Sequence, residues 1–377
     1  MNRLGNPGDN LKKLKVVQIS ASLDNTLGGP VQVIGQTSLR FRESFNHVLI
    51  LFGIQNSSIV NEFTVPTFRQ NRYGLFFRRL NIVIRNEICS SNVLIVHGFY
   101  LYCTLVAIAL AKKNRILIMP HGSLEQYQNK VGRYRKMIFD RLFSLLARFR
   151  NISFIVGSAD EIEGVRSKFK NFPIHVLGLG VDEVPSDYLR KNGIQETVKL
   201  LSLSRITKKK RIDLCIEAVR VLRARGIEAT LTIAGTGSNQ IVEQLRDLVR
   251  RYDLEASVQF IGFVDGQNKD ELYINSDIFL LPSENENFAV AVAESIMRRV
   301  PVVVSNRVAM HRFVERHKTG VVVENLEVIS FVDAIYEVYS NHDIYWQGCL
   351  NSRHLLLWDN VFEEWKRFCM LTEDAAT

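Results

Sequence analysis

Four times in the carboxyl-terminal half of this chain, a short apolar run leads into a turn and then a helical pattern. The runs are VKLLSLS, ATLTIAG, VQFIGF and SDIFLLPS, and the last is followed by NFAVAVAESIMRR. Strands that alternate with helices pair in parallel, because each helix carries the chain back over the face of the sheet. The amino-terminal half repeats the pattern with LKVVQIS, VLIVHGFY and ILIMPHGSLEQY. The expected class is therefore α/β, with mainly parallel, doubly wound sheets. At 377 residues the chain exceeds the roughly 250–300 residues at which single cores stop growing, so two domains are expected. We place a disordered or extended amino terminus at 1–14 and a first domain at 15–177. A linker follows at 178–185, where Gly178, Gly180 and Pro185 break the pattern, then a second domain at 186–355 and a final helix at 356–377.

In open α/β sheets ligands bind beyond the carboxyl ends of the strands, so residues at those ends are the candidates for chemistry. Arg205 ends the VKLLSLS run and Lys210 stands just before the helix marked by Ile212, Ile216, Val219 and Leu222. A guanidinium and an ammonium at that edge can clamp a diphosphate; the plain alternative is a solvated turn. Gly235 and Gly237 open the next loop and let backbone approach a ligand. Glu286 is expected in the turn at a helix start, with Glu294 about two turns further in. The N–H groups there, around Asn287, Phe288 and Ala289, suit a phosphate. Carboxylates beside them accept hydrogen bonds from sugar hydroxyls. The combination points to a nucleotide-sugar pocket; an exposed loop Glu and a solvated helix Glu are the rival reading. In the first half, Gly28 and Gly29 bring N–H groups close to a phosphate or an acceptor, and Pro30 suits a first helical turn. His97 and His121 each end a strand, where an imidazole can bond a sugar or a developing charge; a structural role fits either equally well.

In order and spacing, Arg205, Lys210, Gly235, Gly237, Pro282, Ser283, Glu286, Phe288 and Glu294 resemble the carboxyl-terminal half of the GT-B-fold retaining glycosyltransferases of family four. The family pattern is Gly-Arg, Lys-Gly, Ala-Gly-x-Gly and Pro-Ser-x-x-Glu-x-Phe-Gly, with a second Glu eight residues after the first. The resemblance implies two Rossmann-like domains facing a central cleft, with the donor on the second and the final helix crossing back to the first. It implies that Arg205 and Lys210 neutralise the leaving nucleoside diphosphate in place of a metal, so no metal or cofactor is expected. Glu286 then meets the transferred sugar, Glu294 the ribose, and His121 is the cleft histidine, with His97 in the preceding loop on the acceptor side. Configuration is retained, and the leaving phosphate takes the acceptor proton. Three departures stand out. Arg211 and Ala289 replace family glycines, and RRVPVVVS lacks the usual small pair before Pro-Val-Val. The methyl of Ala289 is expected to crowd a sugar or phosphate.

Charge adds a partner. The net charge is +9, and residues 68–87 hold five arginines, four aromatics and one acid. Residues 133–150 form a second basic, amphipathic stretch. Cations interleaved with rings favour an anionic membrane surface, and no nucleic-acid-binding signature accompanies them. The five cysteines lack C-x-x-C spacing, which fits a reducing compartment. The start carries no apolar signal segment, and no apolar run reaches the roughly 18 residues of a spanning helix. The expectation is a cytoplasmic enzyme, peripheral on the inner face of the membrane, that moves a hexose-type sugar onto a glycan or lipid-linked acceptor in surface-polysaccharide synthesis. A GT-B-like sugar-nucleotide epimerase and a non-catalytic sugar-nucleotide-binding scaffold are the alternatives.

Overall fold

The computed structural model describes residues 14–21, 29–52, 67–69, 82–111, 113–124, 133–157, 159–194 and 196–370. The chain divides into two compact units. Unit one comprises residues 1–177 and 366–377, and unit two residues 178–365.

Unit one holds a seven-stranded sheet. Its strands are β1 (Lys15–Ser20), β2 (Asn46–Leu51), β3 (Thr67–Arg69), β4 (Val93–His97), β5 (Arg115–Met119), β6 (Asn151–Val156) and β7 (Ile174–Val176). The order is β3-β2-β1-β4-β5-β6-β7, and every pairing is parallel. Strands β1, β2, β4, β5 and β6 are buried along nearly their whole length and are rich in Val, Ile and Leu, as expected of a parallel sheet covered on both faces. The core includes Phe99, Phe143, Phe154 and Phe169, packed ring against ring. The last helix, Trp358–Met370, belongs to unit two as far as Trp365 and to unit one from Lys366. Its final turn is fixed by Arg115, whose guanidinium donates to the carbonyl of Phe368 and stacks on that ring.

Unit two holds a six-stranded sheet of β8 (Val198–Leu203), β9 (Ala229–Ala234), β10 (Val258–Gly262), β11 (Ile278–Leu281), β12 (Val302–Ser305) and β13 (Gly320–Val323). Its order is β10-β9-β8-β11-β12-β13, again wholly parallel. The helix Ile212–Ala224 buries Ile212, Ile216, Val219 and Leu222, the stripe its spacing requires. Both sheets reverse their strand order once, between β1 and β4 in unit one and between β8 and β11 in unit two. Such a reversal opens a crevice beyond the strand ends, and it fixes where side chains can gather for chemistry.

Gly180, in the stretch expected to link the domains, lies where a Cβ would come within 2.5 Å of the Cα of Trp358. Val181 donates to the carbonyl of Leu356 (2.8 Å) and accepts from Trp358 N–H (3.2 Å). Glycine is required there by the close approach of two backbones rather than by flexibility.

Candidate active site

The crevice of unit two is flanked by the loops that leave β8 and β11. After β8, Lys208–Lys210 form one 3₁₀ turn, and Arg211 follows with φ 50° and ψ 44°. Lys210 is buried, and its ammonium contacts the carboxylate of Glu286. Burial first, then the charges of Lys209 and Arg205, pull Lys210 from 10.5 down to about 7. The carboxylate in contact opposes that pull, since an opposite charge favours the ammonium. Arg205 itself lies exposed at the rim.

The two loops are fastened by one carbonyl. The oxygen of Lys209 accepts from Glu284 N–H at 2.7 Å and from the Ser283 hydroxyl at 3.2 Å. Ser305, at the end of β12, donates in turn to the carbonyl of Ser283.

Glu286 is not in the helical turn that its spacing suggests. The helix is Val290–Met297, so Glu286 precedes it by four residues. Its N–H donates to the Arg307 carbonyl (3.2 Å), its own carbonyl accepts from Ala309 N–H (2.8 Å), and the pair forms a parallel bridge with Val308. The backbone at Glu286 is therefore extended and bridged to the loop after β12. The helix is delayed until Ala289 turns the chain at φ 46°, ψ 44°, leaving half-buried Asn287 and Phe288 between the two. Glu294 is accordingly one turn into the helix, not two.

Glu294 is buried, and its carboxylate is engaged by two side chains that the sequence did not flag. Lys269 Nζ donates to Oε1 at 2.6 Å and the Tyr273 hydroxyl to Oε2 at 3.1 Å. Both partners lie four residues apart on the helix Gly266–Ile274, hence on one face. That i, i+4 spacing was the only signal available. Burial, with the charge of Glu294 behind it, raises the Tyr273 phenol well above its usual range and keeps it a donor.

The two glycine-substituted positions, Arg211 and Ala289, both keep the left-handed backbone that glycine adopts without strain. Ala289 is buried in an apolar cluster with Val292, Ile296 and Val308. Its methyl packs inward, which corrects the expectation that it crowds a ligand; its cost is backbone strain. Gly235 and Gly237 are required by their neighbours. A Cβ at Gly235 (φ +130°) would lie 1.9 Å from the Ser204 carbonyl oxygen, and one at Gly237 would lie 2.2 Å from that of Ile206. These glycines let the loop after β9 close against the loop that carries Arg205.

In unit one Gly28 lies outside the described residues, and Gly29 opens the helix Gly29–Ser44 with Pro30 second. His97 and His121 are brought together. Their rings stack at 5.2 Å and 15°, with His97 Nδ1 3.0 Å from His121 Nε2. His97 ends β4 beside the sheet reversal, and His121, after β5, has φ 52°. Burial drives His97 far below 6.5 and His121 to about 4, so both rings are neutral at physiological pH. Among the described residues, no three His, Cys, Asp or Glu side chains are gathered as a metal site.

Residues 186–347 match the family model for Glycosyl transferases group 1. The chain is 29% identical over 153 residues to the amylovoran biosynthesis glycosyltransferase AmsK of Erwinia amylovora, and 30% identical over 153 residues to the putative colanic acid biosynthesis glycosyltransferase WcaL of Salmonella typhimurium. Each match covers 39% of this chain and 37% of the relative, so the likeness spans well under half the length of these relatives. Among solved structures, Anabaena HepE in complex with UDP and glucose superposes with a TM-score of 0.75 at 14% identity, over 94% of this chain and 99% of that one. WaaG, a glycosyltransferase involved in lipopolysaccharide biosynthesis, gives 0.63 at 12% identity over 95% and 100%. Residues 186–347 are thus similar to the glycosyl transferases group 1, and the fold is that of the GT-B structures on which the chain superposes.

Proposed function

We propose that the protein is a metal-independent, retaining glycosyltransferase that moves a hexose-type sugar from a nucleoside-diphosphate sugar to a glycan, as a lipid-linked intermediate of surface polysaccharide. The observation that carries this reading is the buried Lys210 ammonium beside Glu286, in a loop clipped to the glutamate-bearing loop at the sheet reversal. A preorganised cation in a partly dry site stabilises the charge growing on a leaving diphosphate far better than one in water. Arg205 at the rim adds a second cation, and together they take the place of a divalent metal. Glu286 receives the transferred sugar's hydroxyls. Glu294 exchanges Lys269 for the ribose, and the N–H groups of Asn287, Phe288 and Ala289 face the phosphates. AmsK, WcaL and WaaG, named for polysaccharide biosynthesis, and HepE, named with UDP and glucose, support this substrate class.

The membrane partner rests on the helix Arg133–Ala147. Its Phe143 and Ala147 face the core, while Tyr134, Ile138, Leu142 and Leu145 are exposed on the opposite side, joined by Phe149 just beyond. Exposed Arg135, Arg141 and Arg148 border this stripe. An apolar stripe pointed away from the core and edged by cations suits an anionic bilayer surface. Of the other basic stretch, residues 70–81 lie outside the described residues. No described helix is long and apolar enough to cross a membrane; the protein sits peripherally, on the cytoplasmic face.

The deciding experiment is a thermal-shift panel of uridine and guanosine diphosphate sugars, since a true donor raises the melting point by binding the folded state. Incubation of the winning donor with glycan and lipid-linked acceptors in EDTA follows, with NMR of the product. A new glycosidic bond of unchanged anomeric configuration supports the reading. An isomerised sugar formed without acceptor identifies an epimerase, binding without turnover a scaffold, and either result defeats it.

A further inference from the structure

At the centre of unit one, Gln18 on β1 is fully buried with both ends of its amide engaged twice. Its Nε2 lies 2.9 Å from Thr37 Oγ1 and 3.1 Å from His97 Nε2. Its Oε1 lies 2.6 Å from Ser38 Oγ and 2.8 Å from His47 Nε2. The amide's orientation follows from Thr37. That hydroxyl has one proton and gives it to the Val33 carbonyl at 2.7 Å, so its oxygen must accept from the amide nitrogen.

Every further proton position in the chain then follows. Gln18 donates to His97 Nε2, so that atom presents its lone pair. Burial keeps His97 neutral, so its single proton is on Nδ1, pointing at His121 Nε2. His121, likewise neutral, accepts at Nε2 and carries its proton on Nδ1. At the other end His47 donates from Nε2 to the amide oxygen, with its ring stacked on Phe41 at 5.9 Å. Reversing any link would set two donors or two acceptors face to face among buried side chains, which buried polar groups avoid.

We propose that Gln18, Thr37 and His47 are positioning residues that hold the proton of His121 on Nδ1 while Nε2 accepts from His97, so that this imidazole has no free lone pair and serves glycosyl transfer never as a base. In water the Nε2–H form of imidazole is the commoner one, so a protein that needs the other form must specify it. His121 is also held at φ 52° in the loop after β5, backbone strain of the kind found at functional sites. The inference rests on the reading that His121 serves glycosyl transfer, and its test separates the two.

The test uses the full chain with ¹⁵N-labelled histidine, reading tautomers from long-range ¹H–¹⁵N spectra at neutral pH. Wild type is expected to show Nδ1–H at His97 and His121 and Nε2–H at His47. Gln18→Glu places an acceptor where the amide donated. His97 must then carry its proton on Nε2 and accept at Nδ1, and His121 must donate from Nε2, so both tautomers reverse. With that reversal kcat should fall about tenfold or more, while KM for the nucleotide sugar changes less than about twofold. Should Gln18→Glu fail to fold, Thr37→Val frees the amide to rotate and should leave His121 a mixture of tautomers with an intermediate kcat. Nε2–H on His121 in the wild type overturns the proposal, as does a reversed tautomer with unchanged kcat. If the wild-type chain transfers no sugar at all, the functional reading fails while the spectra still decide where the proton lies.

Discussion

Lys210 and Glu286, 76 positions apart in the chain, touch through their charged ends, and the carbonyl of the neighbouring Lys209 holds their two loops together. The ion contact sets the ground state of the site: a buried ammonium whose charge is balanced by a carboxylate and opposed by two nearby cations.

Replacing Lys210 by Met should lower kcat by about 100- to 1000-fold, the range seen when one charge-stabilising donor is lost. Lys210→Arg should recover only part of that loss, because a fork does not fit the place of a point charge. Single-turnover rates with saturating donor check this, and near-wild-type rates for Lys210→Met would remove Lys210 from the mechanism.

Nucleotide binding should take up a proton above neutral pH. Burial and the neighbouring cations pull Lys210 down in the free protein against the hold of Glu286, and an arriving diphosphate favours its charged form. Calorimetry at pH 8 in two buffers of different ionisation enthalpy reads the uptake directly. The affinity for UDP or GDP should weaken steadily as pH climbs beyond 7, and a flat profile to pH 9 would contradict this role.

Unit one should be labile to acid. His47, at about 3, and His121, at about 4, sit below their unfolded value of 6.5, so between those limits the unfolded chain binds protons that the folded one refuses. Their stabilisation is complete above 6.5 and is lost as pH falls, at about 1.4 kcal/mol per pH unit for each histidine. Urea unfolding between pH 7 and 4.5, followed by far-ultraviolet circular dichroism, should show the midpoint dropping. His47→Gln should flatten the slope.

Glycine and its replacements should separate strain from packing. Gly235→Ala must push on the Ser204 carbonyl at φ +130° and should cost roughly 2–5 kcal/mol of stability together with donor binding. Ala289→Gly removes about 1–2 kcal/mol of left-handed strain. It also forfeits a buried methyl worth about 0.8 kcal/mol and loosens the unfolded chain by about 0.4–1 kcal/mol. Its unfolding midpoint should stay within about 1 kcal/mol of wild type.

Ile138→Asp with Leu145→Asp, both on the exposed stripe, should reduce binding to phosphatidylglycerol vesicles at least tenfold, since each apolar side chain contributes about 1.5–3 kcal/mol when it leaves water. Wild-type binding should be weaker on phosphatidylcholine and should fall with salt. Unchanged co-sedimentation, or a dimer that the substitutions dissociate, would give the stripe another occupant.

The alternation of VKLLSLS, ATLTIAG, VQFIGF and SDIFLLPS with helices, and of LKVVQIS, VLIVHGFY and ILIMPHGSLEQY in the first half, made both doubly wound sheets legible, because period and punctuation carry that information locally. That Lys210 and Glu286 follow strand ends on one sheet edge was legible for the same reason; their ion contact was not. The partners of Glu294 were not. Lys269 and Tyr273 reach it from another helix, and two residues at i, i+4 do not announce a target. Gln18 and His47, polar residues in apolar strands, went unremarked in the string, and their hydrogen-bond directions exist only once four elements have packed. Neither could a string reveal that Arg211 and Ala289 retain glycine's backbone. A left-handed residue leaves no mark in composition, and the family glycine hinted at it only by being absent.

The bond from Glu284 to the Lys209 carbonyl has a consequence for any attempt to redirect this protein. A change in one loop displaces the other, so single substitutions aimed at a new sugar will disturb the cation and the carboxylate at once, and their effects will not add. Altered specificity should therefore be sought in coordinated pairs, one member before Ile212 and one before Val290.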